Sequence, residues 1–307
     1  MQQNKEKIIS RKSVKSNFTT IGLLLILYVF LVMFIPYAIH YYFIETNSSI
    51  LDDNILYYGI YFIILFFGSI FPFFLMRKHF KVTFRRIMRK ANVGFVDIFV
   101  QTIVFFTICI ALTYVSNMLI NYFGLESKLI SGIGLSYDDV NIKNILYVFM
   151  LIFVSPLLEE YAFRGVLLYS LSKYGKNFAL YATSIIFALA HNNIAEIIPA
   201  FAMGVALGKT SLRYKSIQPT IIIHILFNLF IYLLCILPEI VAQYLAYGLL
   251  VICVIAIVLI INGRYEKVKI MHSKTSKVAA EIFYSRPTII ITMILMIAYT
   301  CLFNLVK

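Results

Sequence analysis

Charged residues are scarce in this chain: only 13% of its 307 residues are Asp, Glu, Lys or Arg, against 61% hydrophobic. The mean hydropathy is +0.88. An ordinary soluble domain is roughly 45–50% apolar and could not hide this excess from water. Cysteine is scarcer still. Cys109, Cys235, Cys253 and Cys301 all sit in apolar stretches without a CxxC pair, which excludes a disulfide framework and a thiolate metal site. Acidic residues are outnumbered, 14 against 27 Lys and Arg, for a net charge of +13. Such a charge invites a nucleic-acid reading, but zinc-finger spacing, RNP-like sequence and basic amphipathic modules are all missing. Basic runs beside apolar spans arise anyway from the positive-inside rule and from anionic headgroups. The partner implied is the lipid bilayer, with no nucleic acid.

The hydropathy pattern predicts an all-α, polytopic transmembrane helix bundle of about nine spans, or eight. The apolar stretches run over 21–44, 55–76, 95–123, 145–171, 178–191, 197–207, 220–237, 240–261 and 288–306. The fifth and sixth are short, and either could re-enter the bilayer or tilt. The first is too long for a signal peptide and lacks a small-residue cleavage site after it, so it reads as a retained anchor. Loop charges set the orientation. Arg77, Lys78, Lys81, Arg85, Arg86, Arg89 and Lys90 form one basic loop; Lys209, Arg213 and Lys215 form a second; Arg264, Lys267, Lys269, Lys274, Lys277 and Arg286 form a third. Glu45, Asp52, Asp53, Glu126, Asp138, Asp139, Glu196 and Glu239 occupy the alternate loops. Nine spans with a cytoplasmic N-terminus put every basic loop inside. Residues 264–286 read as a surface loop or interfacial helix. The chain reads as one integral membrane domain over 1–307, with spans four to seven as its functional core and the others wrapped around them.

Ionisable side chains inside apolar spans carry the functional signal, because each costs ~2.5–3.5 kcal/mol at a helix centre. Asp97 lies only at a span entrance, but Glu159, Glu160 and Arg164 lie well inside the fourth span. Glu160 and Arg164 are spaced i,i+4 and can pair on one helical face. Glu159 projects about 100° away from that pair. Mutual neutralisation would account for Glu160 and Arg164 but leaves the second carboxylate unexplained. His191 follows in the fifth span, and His224 and Asn228 share one face of the seventh. Singly, each is ordinary interhelical hydrogen-bonding material. Together they suit water activation and oxyanion stabilisation. His40, His79 and His272 fall at span ends or in basic loops without such company. A nucleophilic GxSxG, a cysteine near either histidine and the HExxH of zincins are all absent.

Glu159-Glu160-Tyr161-Ala162-Phe163-Arg164 resembles the EExxxR motif of the CAAX-protease and bacteriocin-processing family of intramembrane peptidases, also called CPBP or Abi. Phe187-Ala188-Leu189-Ala190-His191 is similar to that family's FxxxH, and His224-Ile225-Leu226-Phe227-Asn228 to its HxxxN. The match covers about residues 154–230. The resemblance implies a catalytic core there, with Glu159 activating water beside His191. It further implies an oxyanion side of His224 and Asn228, and Arg164 orienting the carboxylates, most directly Glu160. The outer spans vary widely in this family. The expected activity is endoproteolysis of a peptide precursor or membrane-protein segment at the membrane of a bacterial cell. Oligomeric state and substrate are not legible.

The same residues also admit a metal. If one is present, Glu159, His191 and His224 are its ligand set and zinc fits them. A metal-free route is favoured because it gives Asn228 a task, amides being uncommon zinc ligands. Two other functions compete: a non-proteolytic adaptor or regulator of envelope or surface-protein biogenesis that keeps the fold, and a proton-coupled transporter. The intact motif set argues against the first, and the lack of paired interrupted spans against the second.

Overall fold

The computed structural model describes residues 11–51, 54–122, 148–238 and 274–305, with scattered residues between 240 and 254. Asp52, Asp53, Glu126, Asp138, Asp139, Glu239, Arg264, Lys267, Lys269, His272, Cys253 and half of the eighth apolar stretch lie outside the described residues. The described elements are helices, with no strand among the described residues. In chain order we number α1 Arg11–Glu45, α2 Asn54–His79, α3 Phe95–Tyr122 and α4 over 150–172. There follow α5 Lys176–Leu189, α6 Ile194–Tyr214, α7 Gln218–Ile236, α8 Lys274–Tyr284 and α9 Pro287–Leu305.

The chain is a polytopic membrane helix bundle, but nine spans is not the number the described residues support. Four helices are long and apolar enough to cross a bilayer: Arg11–Glu45, Gly59–His79, Val96–Tyr122 and Ile194–Tyr214. A fifth arises if Ser276–Tyr284 and Pro287–Leu302, bent by 69°, count as one span. The difference has physical causes. Helix α5 is 14 residues, about 21 Å at 1.5 Å per residue, against ~30 Å of hydrocarbon. Helix α4 carries three charges and is interrupted by two π-helical turns, Met150–Val154 and Glu160–Leu167. The sixth stretch changes in the other direction. It looked short at 197–207, yet α6 runs 21 residues because Asn193 caps its start and the helix continues through polar residues to Tyr214.

The break between α5 and α6 is written in His191-Asn192-Asn193. Asn192 takes a left-handed φ of 57°, a conformation that asparagine tolerates better than most residues and that stops a helix. The Asn193 side chain then accepts from Ala195 N–H at 3.0 Å, while its amide donates to Glu196 Oε1 at 2.9 Å. Asn193 is thus the N-cap of α6, its side chain steadied by Glu196 one turn in. The two helices it joins pack back to back. A Cβ added to Gly204 would lie 2.8 Å from Cα and Cβ of Ser184, so only glycine permits this approach, as is usual where membrane helices meet closely.

Helix α4 sits among α2, α5 and α7, while α6 packs on α3 and α5. Helix α1 runs along α9 and α2, with Thr292 Oγ1 donating to Gly22 O at 3.2 Å. One buried ring cluster joins Phe18, Tyr174, Phe178 and Phe283 near one end of the bundle. A second chain of rings, Tyr28, Phe73, Phe163 and Phe187, leads from α1 and α2 to the buried charges of α4.

Candidate active site

The charged residues of α4 fold onto the histidine of α7. Arg164 Nη1 lies 2.8 Å from Glu160 Oε1, both side chains fully buried. The N–H groups on Nη1 and Nε are not aligned on an acceptor among the described residues, so this is an electrostatic contact rather than a forked, doubly bonded pair. Arg164 Nη2 reaches Met203 O of α6 at 3.5 Å, and its guanidinium stacks over the Phe187 ring at 4.0 Å. A desolvated cation on an aromatic face is worth ~2 kcal/mol. Phe187 is thus a hub: its ring also contacts Phe163, His191 and His224.

His224 is buried and its Nδ1 lies 2.9 Å from Glu160 Oε1. A carboxylate only accepts, so Nδ1 carries the proton and the Nε2 edge faces away from Glu160. That edge lies 3.9 Å from Glu159 Oε2, too far for a direct hydrogen bond and suited to a shared water. Glu159 is held from its own helix: Ser155 Oγ donates to Oε1 one turn back. Oε2 is buried without a hydrogen-bond partner among the described residues. The two oxygens therefore differ, one fixed and one available.

His191 stands just past the end of α5, where the last carbonyls of a helix lack intrahelical donors. Its Nδ1 lies 2.8 Å from Phe187 O; the carbonyl again forces the proton onto Nδ1 and leaves Nε2 as an acceptor. Glu159 and His191 line one cavity of about 350 Å³. Its other walls are largely apolar, apart from Ser69 and Ser155, and come partly from helices far away in sequence, including Tyr28 and Val32 of α1 and Phe62, Leu65 and Phe66 of α2. Asn228 is tied elsewhere, donating from Nδ2 to Leu151 O of α4 at 2.9 Å.

The structure thus brings Glu159, Glu160, Arg164 and His224 into one contacting group and places His191 on the same cavity as Glu159. Asn228 is anchored to the α4 backbone. Ser155 and the α1 and α2 wall residues carry no motif, and sequence reasoning missed them. The only available signal for Ser155 was its i,i+4 spacing to Glu159. The remaining described histidines are apart from the site: His40 Nδ1 meets Tyr57 Oη at 2.8 Å, and His79 Nε2 meets Asn17 Oδ1 at 3.1 Å. Asp97 lies in the first turn of α3, where the helix dipole favours a carboxylate. Among the described residues, no group of three or more His, Cys, Asp or Glu side chains is placed to hold a metal ion.

Two adjacent carboxylates, one fully buried and one partly so, thus meet two histidines beside a largely apolar cavity within a membrane helix bundle. Residues 141–230 match the family model described as type II CAAX prenyl endopeptidase Rce1-like. The chain is also 37% identical over 93 residues to the membrane-embedded CAAX protease MroQ of Staphylococcus aureus (strain USA300), covering 28% of this chain and 38% of that protein. The match thus spans well under half of the curated relative. No solved structure matches the chain. The chain carries homology to CAAX-type intramembrane proteases of the CPBP/Abi family.

Proposed function

We propose that this protein is an intramembrane endopeptidase that hydrolyses a membrane-associated or precursor peptide with a glutamate-activated water. The observation that carries this reading is the asymmetry of Glu159. Its Oε1 is occupied by Ser155, while Oε2 is buried, unpartnered among the described residues and 3.9 Å from His224 Nε2. In the proposed step Glu159 Oε2 takes a proton from a water that His191 Nε2 orients. The resulting hydroxide attacks the scissile carbonyl carbon, and the C–N bond breaks as Glu159 returns the proton to the leaving amine. His224 stabilises the oxyanion as an imidazolium, its second proton on Nε2 and its charge supported by Glu160. The second N–H of the Asn228 amide adds a donor. Arg164 neutralises Glu160, which leaves Glu159 as the carboxylate free for chemistry.

We place the enzyme in a bacterial cell membrane with its N-terminus in the cytoplasm. Arg11, Lys12 and Lys15 share one end of the bundle with the α2–α3 and α6–α7 basic loops, because His79 meets Asn17 and Ile217 N–H meets Ile87 O. Glu45 and Glu196 lie at the opposite helix ends. This division fits the positive-inside rule.

The test is a comparison of membrane and secreted peptides between wild type and Glu159→Gln. The substitution is nearly isosteric but cannot accept a proton. The expected result is loss of specific cleavage products, with membrane abundance near wild type. Full biological function in Glu159→Gln would transfer the assignment to a non-proteolytic membrane adaptor.

A further inference from the structure

We propose that residues 80–91 form a binding surface for anionic lipid headgroups in the adjacent leaflet. This segment is more than a charged loop. One helical turn, Phe84–Ile87, lies in it, and it is strapped to the two helices that carry the buried charges. Ile87 is buried, and its Cγ2 would lie 2.7 Å from a Cβ added to Gly165, the residue after Arg164. Ile87 O accepts from Ile217 N at 3.1 Å, just before α7. The Gln218 side chain then bridges the strap, donating to Met88 O at 3.4 Å and accepting from Ala91 N at 3.3 Å. The strap therefore has a defined shape against α4 and α7.

Its outer face combines cations with an exposed aromatic. Arg85, Arg86, Arg89 and Lys90 are all exposed. The Arg86 guanidinium is steadied over the Tyr169 ring at 4.4 Å, and neighbouring Lys173 lies over Phe80 at 4.5 Å. The ion pairs found among the described residues are all at the buried site, so none of these cations has a carboxylate partner there. Phe84 is 56% exposed. In water that ring would forgo a substantial hydrophobic gain. At the bilayer boundary it enters the acyl region while the cations meet phosphates, as interfacial amphipathic segments do. Charge complementarity and the exposed ring select a lipid over an acidic protein segment, which would leave Phe84 unburied.

The chain contains no tryptophan, so Phe84→Trp places a single tryptophan, selectively excited over the tyrosines, at this surface. The protein is reconstituted in phosphatidylcholine vesicles holding equal, low mole fractions of either brominated phosphatidylglycerol or brominated phosphatidylcholine. Each engaged cation contributes on the order of fivefold to local enrichment of an anionic lipid. Quenching by the brominated phosphatidylglycerol should therefore be severalfold stronger and should weaken with added salt. Adding Arg85→Gln, Arg89→Gln and Lys90→Gln to the Phe84→Trp chain should abolish the preference. Arg11→Gln, Lys12→Gln and Lys15→Gln remove the same charge from the same end and should preserve it. Equal quenching by both lipids overturns the proposal, as does a preference that survives the strap substitutions. Absence of quenching by either lipid also overturns it, since Phe84 would then lie outside the bilayer. All arms read the lipid surface directly and do not depend on proteolysis.

Discussion

Removing the charge of Arg164 tests how the buried group is held. Glu160 is 0% and Arg164 1% exposed, so neither partner can recruit bulk water when the other is lost. Arg164→Met keeps most of the side-chain volume and its packing against Phe187 but leaves Glu160 facing His224 without its cation. Breaking a buried ion pair from one side costs about 3–5 kcal/mol. One consideration moves the expectation to the lower end: partner groups are also found in the unfolded-in-membrane state, where measured polar contacts average ~0.6 kcal/mol. We therefore expect about 3 kcal/mol for Arg164→Met, and a similar loss for Glu160→Gln, which strands the guanidinium. The double variant removes both charges, while the amide oxygen that Glu160→Gln introduces can still accept from His224 Nδ1. It should therefore cost well under the sum of the singles. The assay is denaturant or thermal unfolding in a fixed detergent, followed by circular dichroism and by the monodisperse fraction, on wild type, both singles and the double. A single variant as stable as wild type would refute the reasoning. Strict additivity would refute it equally, since contacting charges must couple.

Three further outcomes follow from the geometry. Ser155→Ala should lower turnover by about 10- to 100-fold on the substrate found by the peptide comparison, from the ~1.5–3 kcal/mol of a hydrogen bond to a charged group. Membrane abundance should stay unchanged, and Ser155→Thr, which keeps the hydroxyl, should retain more of the rate than Ser155→Ala. Single cysteines in a Cys-free background should react with an impermeant reagent from outside at Asn47, which is exposed beyond α1, but not at Lys215 at the end of α6; the reverse pattern would invert the orientation. Elemental analysis of active, detergent-solubilised protein should show well under one metal per chain. Near-stoichiometric zinc that disappears in His191→Ala, with activity lost to chelator and restored by zinc, would replace the glutamate-only route.

Much of the site's composition was legible because membrane burial makes charge rare. Once an apolar chain holds Glu159, Glu160 and Arg164 within six residues, the i,i+4 rule already names the pair that meets. The span count was not legible in the same way. Hydropathy weighs composition but not backbone continuity. It cannot see that α4 is broken by π turns, that Asn193 restarts a helix, or that Pro287 follows a 69° bend. Nor could any local pattern announce the cavity walls. Tyr28 and Phe66 carry no motif, and only the packing of α1 and α2 brings them to the cavity that Glu159 lines.

The first π turn explains the position of Asn228. Pro156 cannot continue a regular helix, because its ring crowds the carbonyl four residues back and it has no N–H to donate. The turn widens in response, and Ser155 N–H bonds to Met150 O rather than to Leu151 O. In that wider register the donor for Leu151 O would be residue 156, and proline has none. The Leu151 carbonyl is left without a helical partner inside the bundle, where an unmet backbone acceptor is costly. Asn228 Nδ2 supplies the missing bond at 2.9 Å. The amide thus fastens α7 to the one point of α4 that the proline opens, one turn before the Ser155–Glu159 hydrogen bond. It also sets the height at which His224, one turn earlier on α7, meets both carboxylates. A hydroxyl or a cation at 228 could reach the same carbonyl, but only an amide also keeps a second neutral N–H for an oxyanion. The observed bond to Leu151 and the oxyanion role proposed above make different demands on the one side chain, and asparagine can meet both.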